Sequence, residues 1–219
     1  MSTVERETSP MFHEDTTVYI VDDDQAVRDS LSWLISSIGL NVETFETAQH
    51  FLDNYNQQRP GCVLVDVRMP GMSGLELQKH ISQENQCLPV IIVTGHGDVK
   101  MAVNAMKQGA FDFIEKPYND QVMLDLLQTA LAECERRRSA KMEHQEVQDL
   151  YDNLTARERE VMEMIVAGNT NKQIAYGLSI SEKTVEAHRA KVMDKLQARS
   201  LADLIRKSVV LSASPSEPG

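Results

Sequence analysis

Five short apolar runs, each rich in Val and Ile, constrain this chain more than any other feature: Val18–Val21, Val42–Phe45, Val63–Val67, Val90–Val93 and Phe111–Ile114. Runs of this length and composition suit buried parallel strands. Between and after them lie amphipathic stretches, Ala26–Ile38, Ala48–Tyr55, Gly74–Ser82, Val99–Gln108 and Gln121–Ala132. Strand and helix in strict alternation, joined by right-handed crossovers, build a parallel sheet with helices on both faces. The expected fold of residues 16–135 is therefore α/β, a doubly wound five-stranded parallel sheet.

After Leu154 the pattern turns purely helical. Thr155 with Glu158 three residues on forms a capping box opening a helix through Ala167, and Gly168 ends it. A short helix over Asn171–Leu178, a turn at Ser179-Ile180, a third helix from Ser181 through Leu196 and a fourth over Ser200–Leu211 follow. Residues 151–211 thus make a small all-α unit of four helices. The charged stretch from Glu133 to Leu150 has no Pro or Gly and is expected to continue as helix, with residues 136–150 as linker. Arg136, Arg137 and Arg138 within it read better as a solvated run than as a DNA clamp. Residues 1–15 and 212–219 are polar and aperiodic, and are expected to be disordered.

Charge divides along the same boundary. Of the 219 residues, the first 150 carry 24 acidic against 12 basic side chains, whereas 151–210 carry 8 against 10. A strongly acidic part and a mildly basic part point to two domains with different partners. The longest apolar runs, such as Leu88–Val93, are far short of the roughly 20 residues a membrane-spanning helix needs. The first residues lack a cationic start and an apolar core, so no secretory leader is expected. Cys62, Cys87 and Cys134 are odd in number and form no CxxC pair, which fits a reducing cytoplasm and excludes a disulfide framework.

In an open parallel sheet, function gathers at the carboxyl ends of the strands. There the chain places Asp22 and Asp23 after the first strand, Asp66 in the third, Thr94 after the fourth and Lys116 after the fifth. Carboxylates crowded together raise each other's pKa unless a cation is shared, and a hard divalent ion such as Mg²⁺ resolves that with oxygen ligands. Taken alone, Asp22-Asp23-Asp24 reads equally well as a polar strand-end cap. In register with Asp66, Thr94 and Lys116, it reads as a site.

These residues resemble the receiver domain of bacterial response regulators, which has a flavodoxin-like fold. The carrying segments are Ile20-Val21-Asp22-Asp23-Asp24, Val63 through Gly74 (with Asp66 and Met69-Pro70-Gly71), Thr94-Gly95 and Glu115-Lys116-Pro117. The resemblance implies that Asp66 is the phosphoacceptor and that Asp23, Asp66 and the backbone carbonyl of Arg68 hold Mg²⁺, with Asp22 in the outer shell. It implies further that Thr94 binds the phosphoryl group, that Lys116 pairs with it across a cis peptide before Pro117, and that Phe113 lies at an aromatic switch position. A plain core role for Phe113 fits the sequence as well.

The helical part resembles the DNA-binding domain of LuxR-type regulators through Leu154–Val161, Ala167-Gly168, Asn171–Ala175 and Ser181–Arg189. Together the two parts resemble FixJ-type (NarL/FixJ) response regulators. In the helix from Glu182, the residues Val185, His188, Val192 and Leu196 share one face and are expected to pack inward. The other face offers Glu186, Ala187, Arg189, Ala190 and Met193, flanked by Lys183, Lys191 and Lys195. Arg reads guanine, Glu accepts from cytosine and Lys meets phosphates, so this is the recognition helix of a helix-turn-helix. Candidate DNA contacts are Lys172, Lys183, Thr184, Glu186, Ala187, His188, Arg189 and Lys191. A packed, hydrogen-bonded role for His188 is favoured over a ligand or a titrating switch.

The expected function is a cytoplasmic transcription regulator, no enzyme beyond its own phosphoryl transfer and dephosphorylation. A sensor histidine kinase would switch it at Asp66, with Mg²⁺ as cofactor. Its partners would be promoter DNA, RNA polymerase and a second copy joined through a dimer face at Val99, Lys100, Val103 and Lys107. Two alternatives stay open. One is a metal-dependent phosphatase on the same carboxylates, against which Gly71-Met72-Ser73-Gly74 lacks the nucleophile-elbow glycine at Leu75. The other is an interaction protein whose receiver only stores phosphate or docks a partner.

Overall fold

The computed structural model of the chain describes residues 15–84, 87–95 and 99–213, and the side chain of Val99 is not among what it describes. The expected lead-in lies outside these residues apart from Asp15, as does the tail from 214 onward. Two compact units divide after Arg138.

The first unit alternates β1 (Thr17–Val21), α1 (Gln25–Ser36), β2 (Asn41–Phe45), α2 (Ala48–Asn54), β3 (Gly61–Asp66), α3 (Gly74–Glu84), β4 (Val90–Thr94), α4 (Val99–Lys107), β5 (Asp112–Glu115) and α5 (Asp120–Asp152). The five strands form one parallel sheet in the order β2-β1-β3-β4-β5. Alternate residues of each buried strand serve two cores. Tyr19, Val21, Val63 and Val65 pack with Phe51 of α2, Leu77 and Ile81 of α3 and Ala105 of α4. Val18, Ile20, Cys62 and Leu64 pack on the other face with Leu31 and Ile35 of α1 and Met123, Leu127 and Leu131 of α5. That division explains why β1, β3 and β4 are apolar almost throughout, since neither face meets water. The edge strands β2 and β5 depart from the expected burial, with Asn41, Glu43, Thr44, Asp112 and Glu115 among their residues and only Phe45 fully buried. Cys62, Cys87 and Cys134 are buried free thiols.

Helix starts follow the local polar residues. The Asp24 carboxylate accepts from the Ala26 N–H at 2.8 Å and opens α1, and the Thr47 hydroxyl accepts from the His50 N–H at 3.1 Å and opens α2. α5 continues unbroken through the stretch expected to link the domains. Within that stretch Arg136 and Arg137 both bond the Glu133 carboxylate, which accounts for two of the three consecutive arginines locally.

The second unit holds α6 (Ala156–Val166), α7 (Asn171–Leu178), α8 (Glu182–Lys195) and α9 (Leu201–Ser212). Thr155 with Glu158 and Thr170 with Gln173 both close full capping boxes, and Ser181 and Ser200 cap α8 and α9. Ser179 ends α7 in the left-handed region at φ 55°, which makes the tight turn into α8. Val161, Ile165, Ile174, Val185, Val192, Leu196 and Leu204 form the core. The part of α5 in this unit pairs with α9: His144 Nδ1 lies 2.9 Å from the Val210 carbonyl, and Arg206 bonds Glu143 at 3.1 Å. α9 runs one residue into the segment expected as tail.

Two glycines mark contacts that admit no side chain. A Cβ at Gly61 would lie 2.0 Å from the Thr17 carbonyl oxygen, and one at Gly74 would lie 2.2 Å from that of Asp66. Both obstacles are backbone in or beside the central strands, so neither can swing aside. Gly61→Ala and Gly74→Ala are each expected to destabilise the first unit by about 1–3 kcal/mol, the usual cost of overpacking, as measured by urea unfolding. An unchanged midpoint would show that the sheet yields at these positions.

Candidate functional site

Strand order brings the carboxyl ends of β1 and β3 side by side, and those of β4 and β5 next to them. Asp22 follows β1, Asp66 closes β3, Thr94 closes β4 and Lys116 follows β5. Asp22 is 3 % exposed, Asp66 9 % and Thr94 1 %. The Lys116 ammonium bridges the two carboxylates, donating to Asp22 Oδ2 at 2.7 Å and Asp66 Oδ1 at 3.0 Å. Backbone N–H groups take the other oxygens: Asp24 donates to Asp22 Oδ1 at 2.9 Å and Arg68 to Asp66 Oδ2 at 2.6 Å. The Lys116 N–H donates to the Thr94 carbonyl at 2.8 Å, and the following peptide bond to Pro117 is cis. Burial alone would lower the pKa of Lys116, but the bonds to Asp22 and Asp66 outweigh it and raise the pKa above its ordinary value. At neutral pH the cation is firmly in place.

Asp23 stands apart from this buried group, with its side chain exposed at the rim. Among the described residues, no three His, Cys, Asp or Glu side chains converge on one point as a metal cluster. The donors present are nonetheless all oxygen, and one of the carboxylates is open to water. A hard cation that keeps several of its own waters suits that set, whereas a soft or nitrogen-seeking metal does not. Phe113 on β5 is half-buried against the core shared by Tyr19, Leu77 and Ala105. Of the expected dimer-face residues, Lys100 and Lys107 are exposed and Val103 is 46 % exposed, while the side chain of Val99 lies outside the described residues. Sequence reading passed over Arg28, whose Nη1 donates to the Asp22 carbonyl at 2.6 Å. Its position on α1, five residues after Asp23, was the available signal.

In the second unit Val185, Val192 and Leu196 of α8 are buried as expected. Lys172, Lys183, Thr184, Glu186, Ala187 and Lys191 are exposed, and Arg189 is half-exposed. Three residues depart from expectation. Met193 is partly buried against the helical core rather than turned outward. The Lys195 ammonium is committed to Glu158 Oε2 at 2.7 Å and the Asn153 carbonyl at 3.0 Å, so it pins α8 to α6 instead of flanking a reading face. His188 packs, half-buried, but its Nδ1 is buried without a hydrogen-bond partner, which corrects the hydrogen-bonded role expected for it. An exposed aromatic was also missed: Tyr176 on α7 is 91 % exposed.

A family model for the response regulator receiver domain matches residues 18–128, and one for bacterial regulatory proteins of the luxR family matches 152–208. The chain belongs to the two-component response regulators. It joins a receiver to a LuxR-type DNA-binding domain, which makes it a transcriptional regulator. It is 46 % identical to the transcriptional regulatory protein TdiR of Thauera aromatica over 87 % of this chain and 84 % of that one. It is 44 % identical to the transcriptional regulatory protein FixJ of Bradyrhizobium diazoefficiens over 86 % of this chain and 92 % of that one. The solved structure of the response regulator StyR is 42 % identical and superposes with a TM-score of 0.77 over 89 % of this chain and 98 % of that one. Among the described residues, no helix of this regulator is long and apolar enough to cross a membrane.

The Glu158–Lys195 pair of this response regulator carries a pH signature. The Lys195 ammonium and then the Thr155 N–H pull the buried Glu158 carboxyl from 4.5 down to about 2. A depressed carboxyl stabilises the fold above its unfolded pKa, and that stabilisation is lost as pH falls through the folded one. Stability of the helical unit is therefore expected to drop between about pH 4.5 and pH 2, and Glu158→Gln is expected to flatten that part of the profile. Thermal unfolding across this range checks it; an unaltered slope in the Gln variant would remove Glu158 from the account.

Proposed function

We propose that a sensor histidine kinase switches this regulator by transferring a phosphoryl group to Asp66, and that the phosphorylated form pairs with a second copy and binds promoter DNA. The observation that carries the reading is the Lys116 ammonium shared between Asp22 and Asp66. A lysine so placed offsets charge on whatever anion is built at Asp66. The Asp66 carboxylate attacks the phosphorus of the kinase phosphohistidine. The P–N bond breaks with its electron pair going to the imidazole nitrogen, which takes up a proton, and an acyl phosphate forms on Asp66.

Asp23, Asp66 and the backbone carbonyl of Arg68 would hold Mg²⁺, with Asp22 in the outer shell. When bound, the ion offsets negative charge on the phosphoryl oxygens, which is most of what phosphoryl transfer asks of a protein. The product adds about −1.5 to −2 charges to the site. Lys116 pairs with it, the Thr94 hydroxyl hydrogen-bonds it, and Phe113 turns inward to fill the space that Thr94 leaves. The changed surface of α4 and β5, with Lys100, Val103 and Lys107, meets the same face of a second copy. Coupling of this kind is typically worth about 1–3 kcal/mol, a population shift. The chain catalyses only its own phosphorylation and dephosphorylation, works in the cytoplasm, and contacts RNA polymerase to activate transcription.

At the DNA, Arg189 and Glu186 read base edges, while Lys172, Lys183 and Lys191 meet phosphates; Thr184 and Ala187 complete the contact, and His188 packs behind it. Arg189→Ala and Glu186→Ala are each expected to cost about 1–3 kcal/mol and relax specificity at one base pair. Lys183→Ala is expected to weaken all sequences alike and lower the salt slope by about one. Binding isotherms on selected and scrambled sites, at several salt concentrations, check this. Uniform losses in all three variants would take base reading away from α8.

The switch itself is tested by sedimentation and by binding to DNA selected from random sequences, with and without a small phosphodonor plus Mg²⁺. Phosphodonor is expected to produce a dimer and tighter specific binding, and Asp66→Asn is expected to do neither. Equally tight DNA binding in all three states would overturn control by Asp66 and favour a receiver that serves another partner.

A further inference from the structure

We propose that Arg28 is a positioning residue for the acidic loop at the end of β1, holding the peptide between Asp22 and Asp23 so that the loop can accept a divalent cation. The inference rests on the reading that such a cation binds here, and names a residue on which that binding depends. Every part of the loop but Asp23 is tied down. The Asp22 N–H donates to the Phe45 carbonyl at 3.2 Å, the Asp24 N–H to Asp22 Oδ1 at 2.9 Å, and the Arg28 N–H to the Asp24 carbonyl at 3.1 Å. The Asp24 side chain caps α1 through the Ala26 N–H.

The remaining anchor is the guanidinium. Arg28 Nη1 donates to the Asp22 carbonyl oxygen at 2.6 Å, a side-chain clamp reaching back from the first turns of α1. A peptide unit is planar, so fixing that oxygen fixes the direction in which the chain leaves for the Asp23 Cα. Asp23 and Asp24 are both exposed, but the Asp24 carboxylate is taken by the Ala26 N–H, and for Asp23 the backbone on both sides sets where its carboxylate starts.

Electrostatics makes the choice of residue informative. A guanidinium bonded to this loop is a second cation beside Lys116, and by Coulomb's law alone it disfavours a divalent ion nearby. Removing it would then tighten metal binding. If geometry governs instead, removing it frees the 22–23 peptide and weakens binding, as loss of an outer partner of a metal ligand typically does by about 10–100-fold. The two causes have opposite signs, and the direct clamp on the loop backbone decides for geometry.

The test is calorimetric titration of the full chain with Mg²⁺, repeated with Mn²⁺, for wild type, Arg28→Ala and Arg28→Lys, with urea unfolding of each in parallel. Arg28→Ala is expected to bind the ion about tenfold more weakly or worse. Arg28→Lys, which keeps the charge but loses the planar fork, is expected to lose affinity as well. Unchanged or tighter binding in the Ala variant overturns the proposal, as does a Lys variant that matches wild type, and the Lys variant decides alone should Arg28→Ala not fold. A variant that loses unfolding stability while keeping wild-type affinity also overturns it, because Arg28 would then be structural only. Wild type that binds neither ion fails the underlying cation reading rather than the role of Arg28, and is recognised by its own flat titration.

Discussion

Two nearly buried carboxylates on neighbouring strands repel each other and have lost most of their water, and the shared Lys116 ammonium is what makes their position tenable. Leaving one such charge unpaired costs several kcal/mol. The sheet supplies that pairing only in one arrangement. Asp22 and Asp66 meet because β1 and β3 are neighbours, and Lys116 reaches both because β5 ends at the same edge, one strand beyond β4. Gly74 lets α3 begin directly against the Asp66 backbone, where a methyl group would collide with the carbonyl oxygen. Charge balance at the edge and close packing behind it are therefore one requirement, met by residues spread over nearly 100 positions of chain.

The second unit holds an ion pair of a different character. Glu158 Oε2 takes both the Lys195 ammonium and the Thr155 N–H, so cap, helix start and the α6–α8 contact share one carboxylate oxygen. That pair is committed to holding helices together. At the receiver edge the lysine is divided between two carboxylates and lies about one-fifth exposed, an arrangement in which a new anion can compete for the same cation without unfolding anything. Each lysine has two partners, but Lys195 holds one carboxylate and a backbone carbonyl whereas Lys116 is shared between two carboxylates.

Much of this was legible in the chain itself. Runs of Val and Ile told of burial on both faces for β1, β3 and β4 but not for the edge strands β2 and β5. Of the residues read at strand ends, Asp22, Asp66 and Lys116 meet while Asp23 stays exposed. Capping residues placed α6, α7 and α8 to within a residue or two. What escaped were choices among residues of the same helix face. Lys195 and Lys191 look alike in sequence, yet only Lys195 lies within reach of a buried Glu158 on another helix. Met193 is flexible enough to fold its side chain back into a gap, which a helical wheel assigns to the outside. Arg28 was passed over because its role is a bond to a backbone oxygen, of which its place on α1 five residues after Asp23 is only a faint signal. The three consecutive arginines of α5, expected as a solvated run, are so only in part: Arg136 is exposed, Arg137 and Arg138 are half-buried, and Glu133 pairs with the first two.

The modest charge of the helical unit bears on why such a regulator would need pairing at all. With 8 acidic and 10 basic residues over 151–210, phosphate attraction is slight, and Lys195 is withdrawn from it by Glu158. Nonspecific affinity scales with the number of phosphates neutralised, so a single copy offering little net positive charge would be expected to hold DNA weakly. Joining two copies turns the second contact into an intramolecular one and raises overall affinity by about 10²–10⁴ with no new protein–DNA bond. Under the proposed switch, a coupling of about 1–3 kcal/mol at the receiver would then be sufficient, because it would have only to shift a dimer equilibrium that the DNA multiplies. Under that proposal weak single-site binding is a condition of control: a helical unit that gripped DNA alone would leave the carboxylate site with nothing to decide.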